Sequence, residues 1–233
     1  AGAPSWNLPG TSPGQAYVFV RAGGTWSQQA KLVASDAAPE DQFGIAVAIS
    51  GERIAVGAPW DDDACPGDPQ CDSGSVYVFV RSGTGWTEEA KLVADDAAAS
   101  ADFGRSLALD GDRLLVGSPG TLFASTGAAY VFERGAAGWA QQAKLVPAAP
   151  PGASAGWSVA LGGDTALVGT FGGPDPRAYV FARSGSAWTP QAVLVPSAPI
   201  QQTEYGAAVA LDGDRALVGD SKDWGTCVDN GAV

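Results

Sequence analysis

The chain has 233 residues, enough to bury a sizeable core, and carries 25 acidic against 13 basic side chains for a net charge of −12 and a pI near 4.2. That balance argues against nucleic acid or an anionic membrane as partner, because both need a basic footprint. With no histidine, the usual general base, any histidine-assisted nucleophile and a histidine-completed zinc site are excluded.

In chain order, Gly2-Ala3-Pro4 reads as the stop of a strand, and Tyr17-Val-Phe19 opens another. Trp26 lies nine residues after Tyr17, and Ala30-Lys-Leu-Val follows. Next comes FGIAVAISGERIAVGAP, Phe43 to Pro59, two apolar runs around a Ser-Gly-Glu turn. The whole order then repeats. Tyr77-Val-Phe79, Trp86 and Ala90-Lys-Leu-Val lead to FGRSLALDGDRLLVGSP, Phe103 to Pro119. Tyr130-Val-Phe132, Trp139 and Ala143-Lys-Leu-Val lead to AGWSVALGGDTALVGT, Ala155 to Thr170. Tyr179-Val-Phe181, Trp188 and Ala192-Val-Leu-Val lead to YGAAVALDGDRALVGD, Tyr205 to Asp220. Each Phe, Ala or Tyr that starts a hairpin stands 14 residues before its closing glycine, and each repeated tyrosine stands nine before its tryptophan. This is a repeat protein.

Each unit is four short runs of β-branched, aliphatic and aromatic residues broken by Gly, Pro and Asp, with no sustained helical period. Asp110-Gly111 and Asp212-Gly213 suit tight hairpin turns. Four antiparallel strands in roughly 50–60 residues predict a blade, and the array predicts an all-β propeller. The recurring aromatics are expected to pack within and between blades.

The four hairpin segments resemble the FG-GAP repeat, the blade motif of the integrin α-subunit head propeller and of many bacterial surface and secreted proteins. The resemblance covers essentially the whole chain. Ala155-Gly156 departs from Phe-Gly, and Gly169-Thr-Phe and Gly219-Asp-Ser depart from Gly-Ala-Pro. It implies a single propeller domain or segment over 1–233. Its blade units fall at about 43–94, 103–146, 155–195, and 205–233 together with or equivalent to 2–33. FG-GAP arrays resemble seven-bladed rings, so an open array or a ring shared with another chain is expected, with closure into four blades as the alternative. The missing methionine also suits a processed chain or a piece of a longer one. Many relatives carry a D-x-D-x-D-G calcium loop between the first two strands. Here those turns are only Ser50-Gly-Glu52, Asp110-Gly-Asp112, Gly162-Gly-Asp164 and Asp212-Gly-Asp214, too few carboxylates for calcium, so those sites do not carry over.

One spacing varies. From the closing glycine to the next tyrosine is 15, 20, 13 and 10 residues, and length variation confined to one loop class marks a rim free to carry recognition. Trp6, Trp60, Phe123, Phe171 and Trp224 lie in these loops outside any repeat position. They either form a contact surface for a protein or glycan or cap the rims of their own blades. Asp61, Asp62 and Asp63, with Asp68 and Asp72, make the densest acidic cluster, and Asp220, Asp223 and Asp229 sit in the matching loop near the C-terminus. The 60–73 loop reads either as a calcium site or as a solvated acidic loop. Cys65 and Cys71 can close a small disulfide in an oxidising compartment or remain separate thiols, and the secreted relatives favour the bond. Cys227 is left over.

These observations point to an extracellular or cell-surface recognition module without catalysis, whose ligand is a protein or glycan. No apolar run suits membrane insertion. The second reading is a structural module that self-associates or completes a ring with a partner chain. A carbohydrate-active enzyme is the third, resting only on the abundance of carboxylates.

Overall fold

The computed structural model describes residues 1–4, 12–65, 68, 71–120, 125–197 and 204–221. Every apolar run of the repeat is a strand, and no helix occurs among the described residues. Sheet one holds β1 (Gly2–Ala3), β2 (Gln15–Ala22) and β3 (Thr25–Leu32). Sheet two is β4 (Val47–Ser50), β5 (Arg53–Ala58), β6 (Ser75–Ser82) and β7 (Gly85–Leu92). Sheet three is β8 (Ser106–Asp110), β9 (Arg113–Ser118), β10 (Ala128–Gly135) and β11 (Gly138–Leu145). Sheet four is β12 (Ser158–Gly162), β13 (Thr165–Gly169), β14 (Ala178–Ser184) and β15 (Ala187–Leu194). Sheet five is β16 (Ala208–Asp212) with β17 (Arg215–Gly219). Each is an antiparallel meander, which is blade topology. Among the described residues the sheets do not close into a ring. A four-bladed ring would pair β17 with β2, whereas β2 pairs with β1 and β3. That alternative is therefore not adopted.

The core lies between blades. Ala16, Val18 and Leu32 of sheet one pack with Phe43, Val56, Tyr77 and Phe79 of blade two. Val76, Val78 and Leu92 of blade two pack likewise with Phe103, Val116, Tyr130 and Phe132 of blade three. Phe43 meets Tyr77 and Phe79 edge-on at 5.5 and 6.2 Å, and Phe103 repeats this on Tyr130 and Phe132 at 5.4 and 5.8 Å. The paired glycines of the motif follow from the same junction. A Cβ on Gly57 would sit 2.0 Å from the carbonyl oxygen of Gly104 in the next blade, and one on Gly117 2.0 Å from that of Gly156. Only glycine lets the backbones approach this closely.

A bulge makes the second link between blades. In β6–β7, Val78 faces Ala90 but Phe79 faces Glu88, so Glu89 is the extra residue; Gln29 and Gln142 hold that position in the neighbouring sheets. Each receives the next blade's tryptophan: Trp86 Nε1 donates to Gln29, Trp139 to Glu89 and Trp188 to Gln142, at 3.0, 3.1 and 3.0 Å. Trp26 departs from the packing expected of it. It is 66% exposed, and Phe19 beside it 46%, because no described element covers that side of sheet one.

The hairpin turns of the inner strands are links too. Ser50 Oγ accepts from Gly111 N at 3.0 Å, and Asp110 Oδ2 from Gly163 N at 2.8 Å. Asp112 and Asp164 pair with Arg53 and Arg113 of the preceding blades, at 3.3 and 3.1 Å. The carboxylates that stand at the relatives' calcium-loop position serve here as blade-to-blade bonds.

Candidate functional site

The loop between β5 and β6 is the longest of its class, and its base is fixed by one residue. Asp61 has a side chain only 3% exposed. Its Oδ2 accepts from Tyr77 OH at 2.6 Å and lies 2.9 Å from Lys91 Nζ, while its Oδ1 accepts from Asp63 N at 3.0 Å. Its carbonyl takes Ser73 Oγ at 3.1 Å and Gly74 N at 2.9 Å from the far end of the loop. A buried charge is tolerable only when so satisfied.

Lys91 holds the centre of this arrangement. Its ammonium reaches Asp36 at 2.8 Å, Asp61 at 2.9 Å and Asp63 at 2.5 Å. Burial opposes charge on Lys91, but the hydrogen bonds it donates to Asp36, Asp63 and Asp61 outweigh it and raise its pKa. Burial likewise pushes the Asp36 carboxyl up, yet Lys91 and Tyr77 carry it below the usual range. The Tyr77 hydroxyl, buried and facing Asp36 and Asp61, is pushed up. Carboxylate oxygens of Asp36, Asp61 and Asp63 lie within 4.8 Å of one another. The group thus includes Asp36, from the end of the preceding blade, and leaves out Asp62. The charge it needs is supplied by an ammonium, a poor fit for calcium, which wants six to eight oxygens around itself.

Around this base the loop is braced. Cys65 and Cys71 are bonded, with Cα atoms 6.0 Å apart. Cys65 N donates to Asp62 O at 2.9 Å, Asp68 N to Cys65 O at 3.1 Å and Cys71 N to Asp68 O at 3.2 Å. The loop also joins the next blade, where Ser100 N, Asp102 N and Phe103 N donate to the carbonyls of Cys71, Asp72 and Ser73. Burial, with Asp62 and Asp68 nearby, raises the Asp72 carboxyl. On this frame Trp60 stands 41% exposed, its backbone N–H on Asp41 O at 3.3 Å.

The other singled-out residues are not gathered with it. Phe171 stacks on Trp157 at 4.3 Å and 17°, and Arg105 lies over the Trp157 ring at 4.3 Å, so Phe171 folds back on its own scaffold. Asp220 is buried and accepts from Glu204 N at 2.9 Å. Trp6, Phe123, Trp224, Asp223, Cys227 and Asp229 lie outside the described residues.

The Asp–Tyr–Lys bridge recurs one junction on. Asp96 accepts from Lys144 Nζ at 2.6 Å and from Tyr130 OH at 3.0 Å, and those bonds, Lys144 first, lower its pKa despite burial. Beside it opens a cleft of about 520 Å³, lined by Ser100, Ser118, Ser125 and Thr126 as well as Asp96, Tyr130 and Lys144. At the third junction both charged partners are gone: Ala149 stands at the aspartate position and Val193 at the lysine position, and Tyr179 OH donates to Ala148 O at 3.4 Å. There an apolar groove of about 600 Å³ runs past Val146, Pro147, Tyr179, Phe181 and Val193. Sequence reading missed Asp36, Asp96 and the lysines. The signal was present: an aspartate five residues after Lys31 and Lys91, lost where the next blade's lysine is lost.

No helix among the described residues is long and apolar enough to cross a membrane. No curated protein matches the chain. The model of the FG-GAP repeat matches residues 26–79, 86–132 and 139–181, more than half of the chain, each match running from the tryptophan of one blade to the Tyr-Val-Phe strand of the next. The unit it describes is thus the blade junction, with its glycine contact and its tryptophan bond. The chain belongs to the FG-GAP repeat family, whose repeat builds the β-propeller of integrin α-subunits and of adhesion-type proteins.

Proposed function

We propose that the chain is an extracellular, non-catalytic recognition module that binds a protein or glycan through the rim bearing the 60–73 loop. One observation carries this reading. Trp60 is 41% exposed on a loop otherwise locked by a buried aspartate, a lysine and a disulfide. A large aromatic held rigid costs little entropy on binding, which is what interface hot spots share. The Cys65–Cys71 bond suits an oxidising compartment. Trp60→Ala should leave the unfolding midpoint within about 0.5 kcal/mol, as for an exposed side chain. It should weaken the partner found in a screen of extracellular proteins and glycans by roughly 2 kcal/mol or more. Lost stability with unchanged affinity would make Trp60 a rim cap and overturn the reading.

A second reading, assembly with another chain, is favoured by the uncovered side of sheet one, where Phe19 and Trp26 are exposed, and by the exposed Val47 and Ile49 of β4 in sheet two. Sedimentation velocity separates the two, since assembly requires a concentration-dependent rise in mass.

A further inference from the structure

We infer that the cleft between the second and third blades receives a carboxylate, presented by an acidic side chain of a partner protein and held by Lys144 and Tyr130. This inference rests on the recognition reading and names a site and a chemistry for it.

The protein itself contains the filled version of the site. In blade two the Tyr77–Lys91 pair takes Asp36 from the preceding blade and then two more carboxylates, Asp61 and Asp63, from its own loop. Blade three presents the same pair in the same pose: Lys144 Nζ lies 5.2 Å from the Tyr130 ring centroid, as Lys91 does from that of Tyr77. It also takes the preceding blade's aspartate, Asp96. Its own loop offers no further carboxylate, because residues 118–129, SPGTLFASTGAA, contain no acidic side chain. An ammonium has three donors. Lys91 spends them on three aspartates, whereas among the described residues Lys144 has one carboxylate, Asp96, with the Tyr130 hydroxyl beside it.

The space left is a cleft of about 520 Å³, lined by Ser100, Ser118, Ser125 and Thr126. Charge permits an added anion there even on an acidic protein. Blade two sets three carboxylates on one lysine, while blade three sets one on one, so a ligand carboxylate makes the second cluster less negative than the first. Because the filled site is filled by a peptide loop, the occupant is an acidic peptide. The cleft also adjoins the Trp60 loop: Ser100, on its wall, donates its N–H to Cys71 O at 2.5 Å.

The probe is the loop's own sequence as a capped peptide, acetyl-Trp-Asp-Asp-Asp-Ala-amide, titrated into the whole chain by calorimetry. Saturable binding is expected, with none for the Trp-Asn-Asn-Asn-Ala counterpart. Lys144→Gln should weaken it about tenfold or more, the value of one charge-assisted hydrogen bond. Lys144→Arg, which keeps the charge and the blade junction, should retain it. Asp96→Asn should strengthen it by freeing the ammonium. Equal binding by Lys144→Gln, no saturation with the wild type, or loss in Asp96→Asn would overturn the site. Saturable binding of glucuronate or N-acetylneuraminate without the peptide would overturn the protein partner in favour of an acidic glycan. The titration needs no partner from a screen, so its failure removes this site and leaves the recognition reading to the Trp60 test.

Discussion

Asp41 carries a carboxyl that burial, with Asp61 and Asp62 nearby, pushes up to about 7, against a hydrogen bond from Ala38 N that pulls it down. Asp102, buried and near Asp72, is raised to about 6. Both hold their proton more tightly in the folded chain than in the unfolded one, where a carboxyl titrates near about 4. Their contribution to stability is therefore complete below that value and is lost as pH rises through the window from about 4 to about 7. Asp36 and Asp96 act in the opposite sense: their lowered pKa values favour the fold above the usual carboxylate range and fail as pH falls through it. Stability should peak at mildly acidic pH. Asp41→Asn, which keeps an acceptor for Ala38 N, should raise stability at pH 7 by roughly 1–3 kcal/mol and change it little at pH 4. Chemical denaturation at the two pH values checks this, and an equal effect at both would show that folding does not raise the Asp41 carboxyl.

At the scale of the element, strands and their spacing were legible because packing between blades fixes them. The Phe43–Gly57 interval repeats because a glycine of each blade must touch a glycine carbonyl of the next. The bulge at Glu89 was not legible, since one extra residue in a strand leaves no periodic trace. Asp36 was hidden for another reason: its partner Lys91 lies 55 positions on, in another unit. The acidic loop read as a calcium candidate because sequence shows carboxylates together but not the lysine folded among them. Trp60 alone of the singled-out aromatics stands exposed among the described residues, while Phe171 turned inward onto Trp157, a choice no spacing encodes. The same loop yields a prediction. It is held by the Asp61 cluster at its base, by backbone hydrogen bonds to the next blade and by the Cys65–Cys71 bond. Reduction should speed hydrogen exchange of its amides, weaken binding through Trp60 and lower stability by roughly 2 kcal/mol, the chain entropy released from so short a loop. Mass spectrometry of the unreduced chain should find neither of these two thiols alkylated. Alkylation of both would remove the brace from the argument.

Across the whole molecule, stability in a repeat array is close to a sum of blades and junctions, so the weakest junction decides where the structure opens first. The junctions are not equal. The first two have a phenylalanine from the hairpin motif and an Asp–Tyr–Lys bridge. The third has Ala155 in place of the phenylalanine, Ala149 in place of the aspartate and Val193 in place of the lysine, though its core is still ten buried residues. The fourth, among the described residues, buries only Ala160, Leu167 and Ala178 in its cluster, and Leu217 beyond it is 53% exposed. Native-state hydrogen exchange should therefore show β16–β17 opening at the lowest free energy, β12–β15 next, and β4–β11 last as one unit. Restoring the missing bridge tests the cause. Ala149→Asp with Val193→Lys should slow exchange in β14 and β15 by about 0.5–1 kcal/mol, the range of an exposed ion pair. Each single change should give less than half of that, because a lone charge has no partner. Additive single effects, or exchange that begins in β4–β11, would mean that the bridges do not set the order in which the blades come apart.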